Sequence, residues 1–392
     1  MRKILFLFAA TTLVLGACKK DKDNEATPPT TTVDPYATQK TELKATYADM
    51  AFAVYDDALI DAQDLNDALI AFVDNPTATT MNNAKQAWLE SRESYGQSEI
   101  FRFVDGPIDN PSDGPEGLIN AWPMDEAYVD YVVGSANSGI INNLIDYPTI
   151  TIPAILGANE FGGETNISAG YHAIEFLLWG QDLSASGPGA RSFSDYVGAA
   201  GSVQARRGTY LKHLGTILVD ALQQVRNAWS TGGNNYRTTF LAMNNDTALR
   251  KMFNSLRVLS GEELSGERML VAYENADQED EHSCFSDNTH RDIYLNAKGI
   301  MNLYTGTYVR SNGTIVSGYS IEDLTAEAFP AKNTELMTRF TTTETLITSM
   351  HVPFDQAIID PAYRPGVFSA IESLQTEAAL ITSIAADFDI VF

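Results

Sequence analysis

The sequence predicts an all-α protein of two helical, four-helix-bundle-like domains. Three observations lead there. Apolar residues recur at steps of three and four in several long windows, β-branched stretches are short and isolated, and turn-rich segments punctuate the chain. In the first window Leu43, Tyr47, Met50, Val54, Ala58, Leu65, Leu69 and Phe72 line up. Tyr210, Leu214, Ile217, Ala221 and Val225 do the same, and the clearest stripe is Val367, Ile371, Leu374, Ala378, Ile381, Ala385 and Phe388. Each is one face of a helix turned to a core, with polar residues behind it. Helices of this length run about 40 Å, as bundle helices do. The stretch Thr149 to Pro153 is too isolated to build a sheet. No short-period repeat is present, which excludes a solenoid.

The helical pattern breaks in three places. Between about 104 and 166 it gives way to turns such as Asp105-Gly106-Pro107 and Asp113-Gly114-Pro115. Ser184 to Gly201 is rich in Gly, Ser and Ala, and a third turn-rich segment lies around Arg310 to Tyr319. The second break precedes a fresh long helix and divides the chain into domains 36–198 and 199–392. A length of 392 residues, 44% apolar and 20% charged, fits two such domains. Acidic residues outnumber basic ones 51 to 26, for a formal charge of −25. With no basic stripe to offset that charge, nucleic-acid binding is excluded.

The N-terminus reads as an address. Arg2 and Lys3 precede an apolar run from Ile4 to Leu15, too short to span a bilayer, and then Leu15-Gly16-Ala17-Cys18. The last four residues look like a bacterial lipobox. Residues 1–18 are therefore expected to form a lipoprotein signal peptide with Cys18 as the lipidated residue, and 19–35 a disordered tether poor in apolar side chains. The expected location is the cell envelope, periplasm-facing or surface-exposed, with the outer membrane as anchor. Lipidation of Cys18 leaves Cys284 without an intramolecular partner, as a buried inert thiol.

Three segments carry chemistry. In Gly170-Tyr171-His172-Ala173-Ile174-Glu175, helical spacing places His172, Glu175 and Trp179 in one arc, and Gly170 permits close approach of a backbone or ligand. An imidazole and a carboxylate three positions apart suit either a shared metal or a buried hydrogen bond. Trp88, Arg92, Tyr95 and Glu99 project from one side of a second helix, with Arg102 adjacent. Such a face fits an ion-pair seam or direct ligand contact. The run from Asp277 to His290 gathers His282 and His290 among acids, Asp287 included, and Glu267 with Arg268 lies just upstream. Oxygen and imidazole donors favour iron, manganese or zinc over copper(I). The zinc-peptidase His-Glu-x-x-His, the serine elbow, the phosphate loop and the dinucleotide fingerprint are all missing.

These segments resemble the imelysin family of bacterial periplasmic and lipid-anchored proteins, which includes iron-regulated lipoproteins. The likeness rests on Gly170-x-His172-x-x-Glu175 and its apolar context, on Tyr95 to Phe103, on Gly266-Glu267-Arg268-Met269, and on Glu279 to His290. It implies two helical bundles packed around an interdomain cleft, a site near that interface and a role in iron uptake. His172 and Glu175 correspond to the family signature. The expected metal or ligand residues are His172, Glu175, Glu99, His282 and His290. Gly170, Arg92, Tyr95, Arg102, Trp179, Glu267, Arg268 and Asp287 are expected to support them. The cargo is expected to be a divalent or ferric ion, iron first and zinc second, or a metal chelate. Partners would be the membrane, through the lipid, and other iron-uptake proteins. Two other readings stand beside this one. One is a metallopeptidase using Gly-x-His-x-x-Glu, an activity that only the family name suggests. The other is a polysaccharide-binding or interaction module without metal, in which Trp88, Tyr95 and Trp179 would stack on sugars.

Overall fold

The computed structural model describes residues 34–184 and 186–392. The expected signal peptide, Cys18 and nearly all of the tether lie outside them. Eight helices carry the argument. They are α1 (Ala37–Asp74), α2 (Ala78–Ser98), α3 (Tyr171–Trp179), α4 (Val203–Ala228), α5 (Asn245–Val258), α6 (Thr289–Thr305), α7 (Pro330–Thr348) and α8 (Arg364–Asp387). The fold is all-α, as the periodicity predicts. The apolar stripes of α1 and α4 are buried along their whole length, and Val367, Ile371, Leu374, Ile381 and Ala385 of α8 are buried too.

Local chemistry sets the helix starts. Thr77 and Thr80 form a reciprocal capping box at α2, Ser202 accepts from the Ala205 amide at α4, and Asn244 accepts from the Asp246 and Thr247 amides at α5. Each supplies an acceptor for amides that have no partner within the first turn. A π-helical stretch, Leu259–Leu270, continues α5.

One small sheet departs from expectation. β1 (Thr307–Val309) pairs antiparallel with β2 (Ile315–Ser317), Tyr308 facing Val316, so that β1 precedes and β2 lies within the turn-rich segment around Arg310 to Tyr319. Gly313 at φ +81 closes the turn between them. Tyr308 Oη donates to Asp57 Oδ2 at 2.9 Å and Arg310 bonds Asp56 and Asp57, so anchorage to α1 holds the hairpin in place.

Residues Tyr36–Phe392 form one compact unit. Within it α1 packs on α2 and α4, and α3 packs on α2 and α4. The helix that follows the Gly-, Ser- and Ala-rich break at 184–201 thus completes a bundle begun before it. The π-helical stretch, α5, α7 and α8 pack together, and α6 lies against α7. Two helices of the first group reach the second: α1 touches α5, and α2, which packs on α1 and α3, touches α6. That position puts Arg92 between α3 and α6.

Candidate functional site

The start of α3 is fixed from two sides. Gly170 has φ +94, and a Cβ there would stand 2.8 Å from the Ile119 carbonyl oxygen. The close approach allowed by this glycine is therefore to backbone. Trp88 Nε1 on α2 donates to the Tyr171 carbonyl at 2.9 Å. His172 follows directly and is 0% exposed.

His172 Nδ1 lies 3.1 Å from Glu175 Oε2, and the other carboxylate oxygen accepts from the Ser286 amide at 2.9 Å and its hydroxyl at 2.7 Å. The loop before α6 is thereby clipped onto α3. Burial pushes the Glu175 carboxyl up to about 8, and the Ser286 hydrogen bonds restrain the rise. Burial, the second imidazole and Arg92 hold His172 well below the usual histidine range, so its ring is neutral.

That second imidazole is His282. Its ring centroid is 4.7 Å from that of His172, and Trp122 stands 4.9 Å from His172 on another side. His282 Nδ1 lies 2.8 Å from Asp292 Oδ2, which also accepts from Ser283 Oγ at 2.5 Å. Burial, followed by the Arg268 charge, lowers the His282 pKa. Burial alone would raise the Asp292 carboxyl, but Arg92 and His282 more than reverse that and hold it far below the usual carboxylate range. Arg92 also donates to Asn120 Oδ1 at 2.6 Å, and Asn120 Nδ2 stands 3.4 Å from His282 Nε2. The outcome is two neutral imidazoles from distant parts of the chain, with Nδ1 of His172 against the Glu175 carboxyl and Nδ1 of His282 against the Asp292 carboxylate. Among the described residues His172 Nε2 has no hydrogen-bond partner.

Of the pair, His282 lines a cleft of about 500 Å³, together with Asn120 and Trp122, and His172 is buried against His282 and Trp122 without lining it. Arg102, Arg268 and Glu267 line it as well. Glu99 is not beside the histidines. Its Oε2 accepts from Arg268 at 2.6 Å and Arg102 at 2.9 Å, which makes it the centre of an ion-pair seam, and Arg268 also bonds Asn296. His290 stands apart too. Its Nδ1 donates to the Asp287 carbonyl at 3.1 Å, and the ring is half-buried near Arg291 and Glu93. Asp287 has φ +57, and burial with the charges of Asp355 and Asp182 pushes its carboxyl up to about 7. Trp88, Tyr95 and Trp179 are buried, so none offers a face on which a sugar can stack. Tyr95 packs against Tyr171 beneath the Arg92 guanidinium.

The sequence reading does not single out Asp292, Asn120, Trp122 or Ser286. Asp292 left a trace: Thr289, Asp292 and Asn296 are polar residues on the buried face of α6, at the three- and four-residue spacing where apolar side chains belong. Asn120 and Trp122 lie among short turns with no periodicity to read.

The imelysin peptidase family model matches residues 51–381. The chain belongs to the imelysin family. A curated relative, iron-regulated protein A of Synechococcus elongatus, is 23% identical over 318 residues, covering 79% of this chain and 75% of its own. Two crystal structures share the fold. An iron-regulated protein A precursor from Parabacteroides distasonis superposes with a TM-score of 0.71 at 19% identity, over 90% of this chain and 97% of its own. An imelysin-like protein from Psychrobacter arcticus gives 0.65 at 16% identity, over 91% and 98%.

Proposed function

We propose that this imelysin-family chain is a lipid-anchored envelope protein that binds a metal, iron first and zinc second, at His172 and His282 and serves iron uptake. The observation that carries the reading is the buried, unpartnered Nε2 of His172 beside a second neutral imidazole. Leaving a buried polar nitrogen unpaired costs about 1–3 kcal/mol, which a bound metal would remove. The ionised Asp292 on Nδ1 of His282 is the outer-shell arrangement that orients a metal-binding histidine and raises its basicity, and the Glu175 carboxyl faces Nδ1 of His172 in the corresponding position. The iron-regulated names of the relatives agree with this reading. The acidic composition would keep cations concentrated near the surface.

Among the described residues no group of three His, Cys, Asp or Glu is gathered to hold an ion. The pair therefore offers two protein donors. A hydrolytic zinc centre takes three protein ligands and an activated water, so we read the metal as cargo rather than catalyst. Cys18 at the end of the signal peptide would tether the protein to the outer membrane, where other iron-uptake proteins would receive or deliver the cargo. Anaerobic calorimetry with Fe²⁺, and in parallel with Zn²⁺, tests the site. His172→Ala and His282→Ala should each abolish a single binding event seen in the parent. Unchanged affinity in both folded variants would refute the proposal.

A further inference from the structure

The cleft in front of His282 is larger and more acidic than a bare ion requires. Its volume of about 500 Å³ has room for roughly 16 waters at ~30 Å³ each, whereas a hydrated octahedral ion brings about six. Six carboxylates, Glu116, Glu160, Glu164, Glu263, Glu267 and Asp280, line it against Arg102 and Arg268. Both arginines are already committed to Glu99, and Glu116 and Glu263 lie close to them. Among the described residues Glu160, Glu164, Glu267 and Asp280 form no ion pair, so the wall carries uncompensated negative charge. Trp122 is half-buried, presents part of its surface to the cleft, and stands against His172.

We infer that the metal enters this cleft as a positively charged metal–organic chelate, with His282 completing its coordination and Trp122 lying against its organic body. The inference rests on the metal-binding reading above and names the form of the cargo. The protein supplies at most two nitrogens, His282 from the cleft wall and His172 from behind it, which leaves most of a coordination sphere to an organic ligand that travels with the metal. His282 reaches the cleft wall, and His172 lies directly behind it and Trp122. The negative wall selects against chelates whose own carboxylates outweigh the metal's charge.

Nickel probes separate the form of the cargo from the existence of the site. Ni²⁺ alone, the dipositive nickel–diethylenetriamine complex and the neutral nickel–iminodiacetate complex share one metal. The two chelates also have the same number of donor atoms. Native mass spectrometry counts metal and chelator separately, and calorimetry at fixed ionic strength gives affinity. The expected result is a complex of one protein, one nickel and one diethylenetriamine, about tenfold tighter than with iminodiacetate. His282→Ala should abolish it, and the double variant Glu164→Gln/Glu267→Gln should shrink the preference. If nickel binds alone and both chelators strip it without a ternary mass, the inference fails while the metal site stands. Equal affinity for the two chelates, or a ternary complex that survives His282→Ala, also overturns it. Failure of Ni²⁺, Fe²⁺ and Zn²⁺ to bind in any form removes both readings.

Discussion

Arg92 and Asp292 are 200 residues apart in sequence and meet in the interior, with Arg92 Nη2 and Nε 3.1 and 3.3 Å from Asp292 Oδ1. Both side chains are 1% exposed. The pair joins α2 to α6 and holds the carboxylate that meets His282. The guanidinium also lies 4.8 Å from the centre of the Tyr171 ring, one residue before His172. One buried cation thus reaches both halves of the site.

Removing one member of such a pair leaves the other charge buried and uncompensated. Arg92→Ala should therefore lower unfolding free energy by about 3–5 kcal/mol, measured in urea. The double change Arg92→Met/Asp292→Leu should recover part of that loss, because no charge is then stranded. A single variant as stable as the parent would mean that the pair carries no structural load.

Asp292 has a second effect that stability does not report. Its Oδ2 accepts from His282 Nδ1, which leaves Nε2 as the lone-pair nitrogen. Asp292→Asn removes the charge that fixes this tautomer and should weaken metal binding by about 10–100-fold in calorimetry. His290→Ala should leave metal affinity unaltered, since that ring bonds the Asp287 carbonyl instead. Equal losses in the two variants would point to a general effect of disturbing α6.

The helices were legible because periodicity is a local property: the stripes of α1, α4 and α8 are single faces that must be buried. His172 and Glu175 were legible for the same reason, being three residues apart on one helix. Glu99 and His290 show where that reasoning stops. Glu99 directly follows α2 and His290 lies in the first turn of α6, yet Arg102 and Arg268 engage Glu99, and His290 bonds the Asp287 carbonyl. Partner choice across α2, α3 and α6 depends on tertiary approach, which spacing along one helix does not encode. Asn120 and Trp122 were invisible because they lie in irregular backbone whose place is set by packing under Gly170.

Gly170 gives the third prediction. At φ +94 and ψ −177 its backbone occupies a region essentially reserved for glycine, and a methyl group would press on the Ile119 carbonyl. Gly170→Ala should cost about 1–3 kcal/mol in backbone strain, seen as a lowered urea midpoint. It should also reduce metal affinity, because Asn120 follows Ile119 and His172 lies two residues after the glycine. Full affinity in a destabilised variant would separate the start of α3 from the geometry of the histidine pair.

Far from the histidines, Glu377 on α8 is 1% exposed, and one oxygen accepts from Ser260 Oγ at 3.1 Å while the other has no partner. Burial pushes this carboxyl up to about 7, with the Thr343 and Ser260 hydroxyls restraining it. Below the unfolded value of about 4.3 the proton is bound in both states and the stabilising contribution is complete. As pH rises towards 7 the unfolded chain releases the proton while the folded protein still holds it, so unfolding becomes more favourable. Above the folded value both states are ionised and the contribution is gone. Glu377→Gln is neutral at every pH and should flatten this component. Between about pH 5 and pH 8 the parent should lose of order 2–3 kcal/mol more than the variant in paired urea titrations. Parallel pH profiles would show that Glu377 is already ionised in the folded protein and that its buried surroundings tolerate the charge.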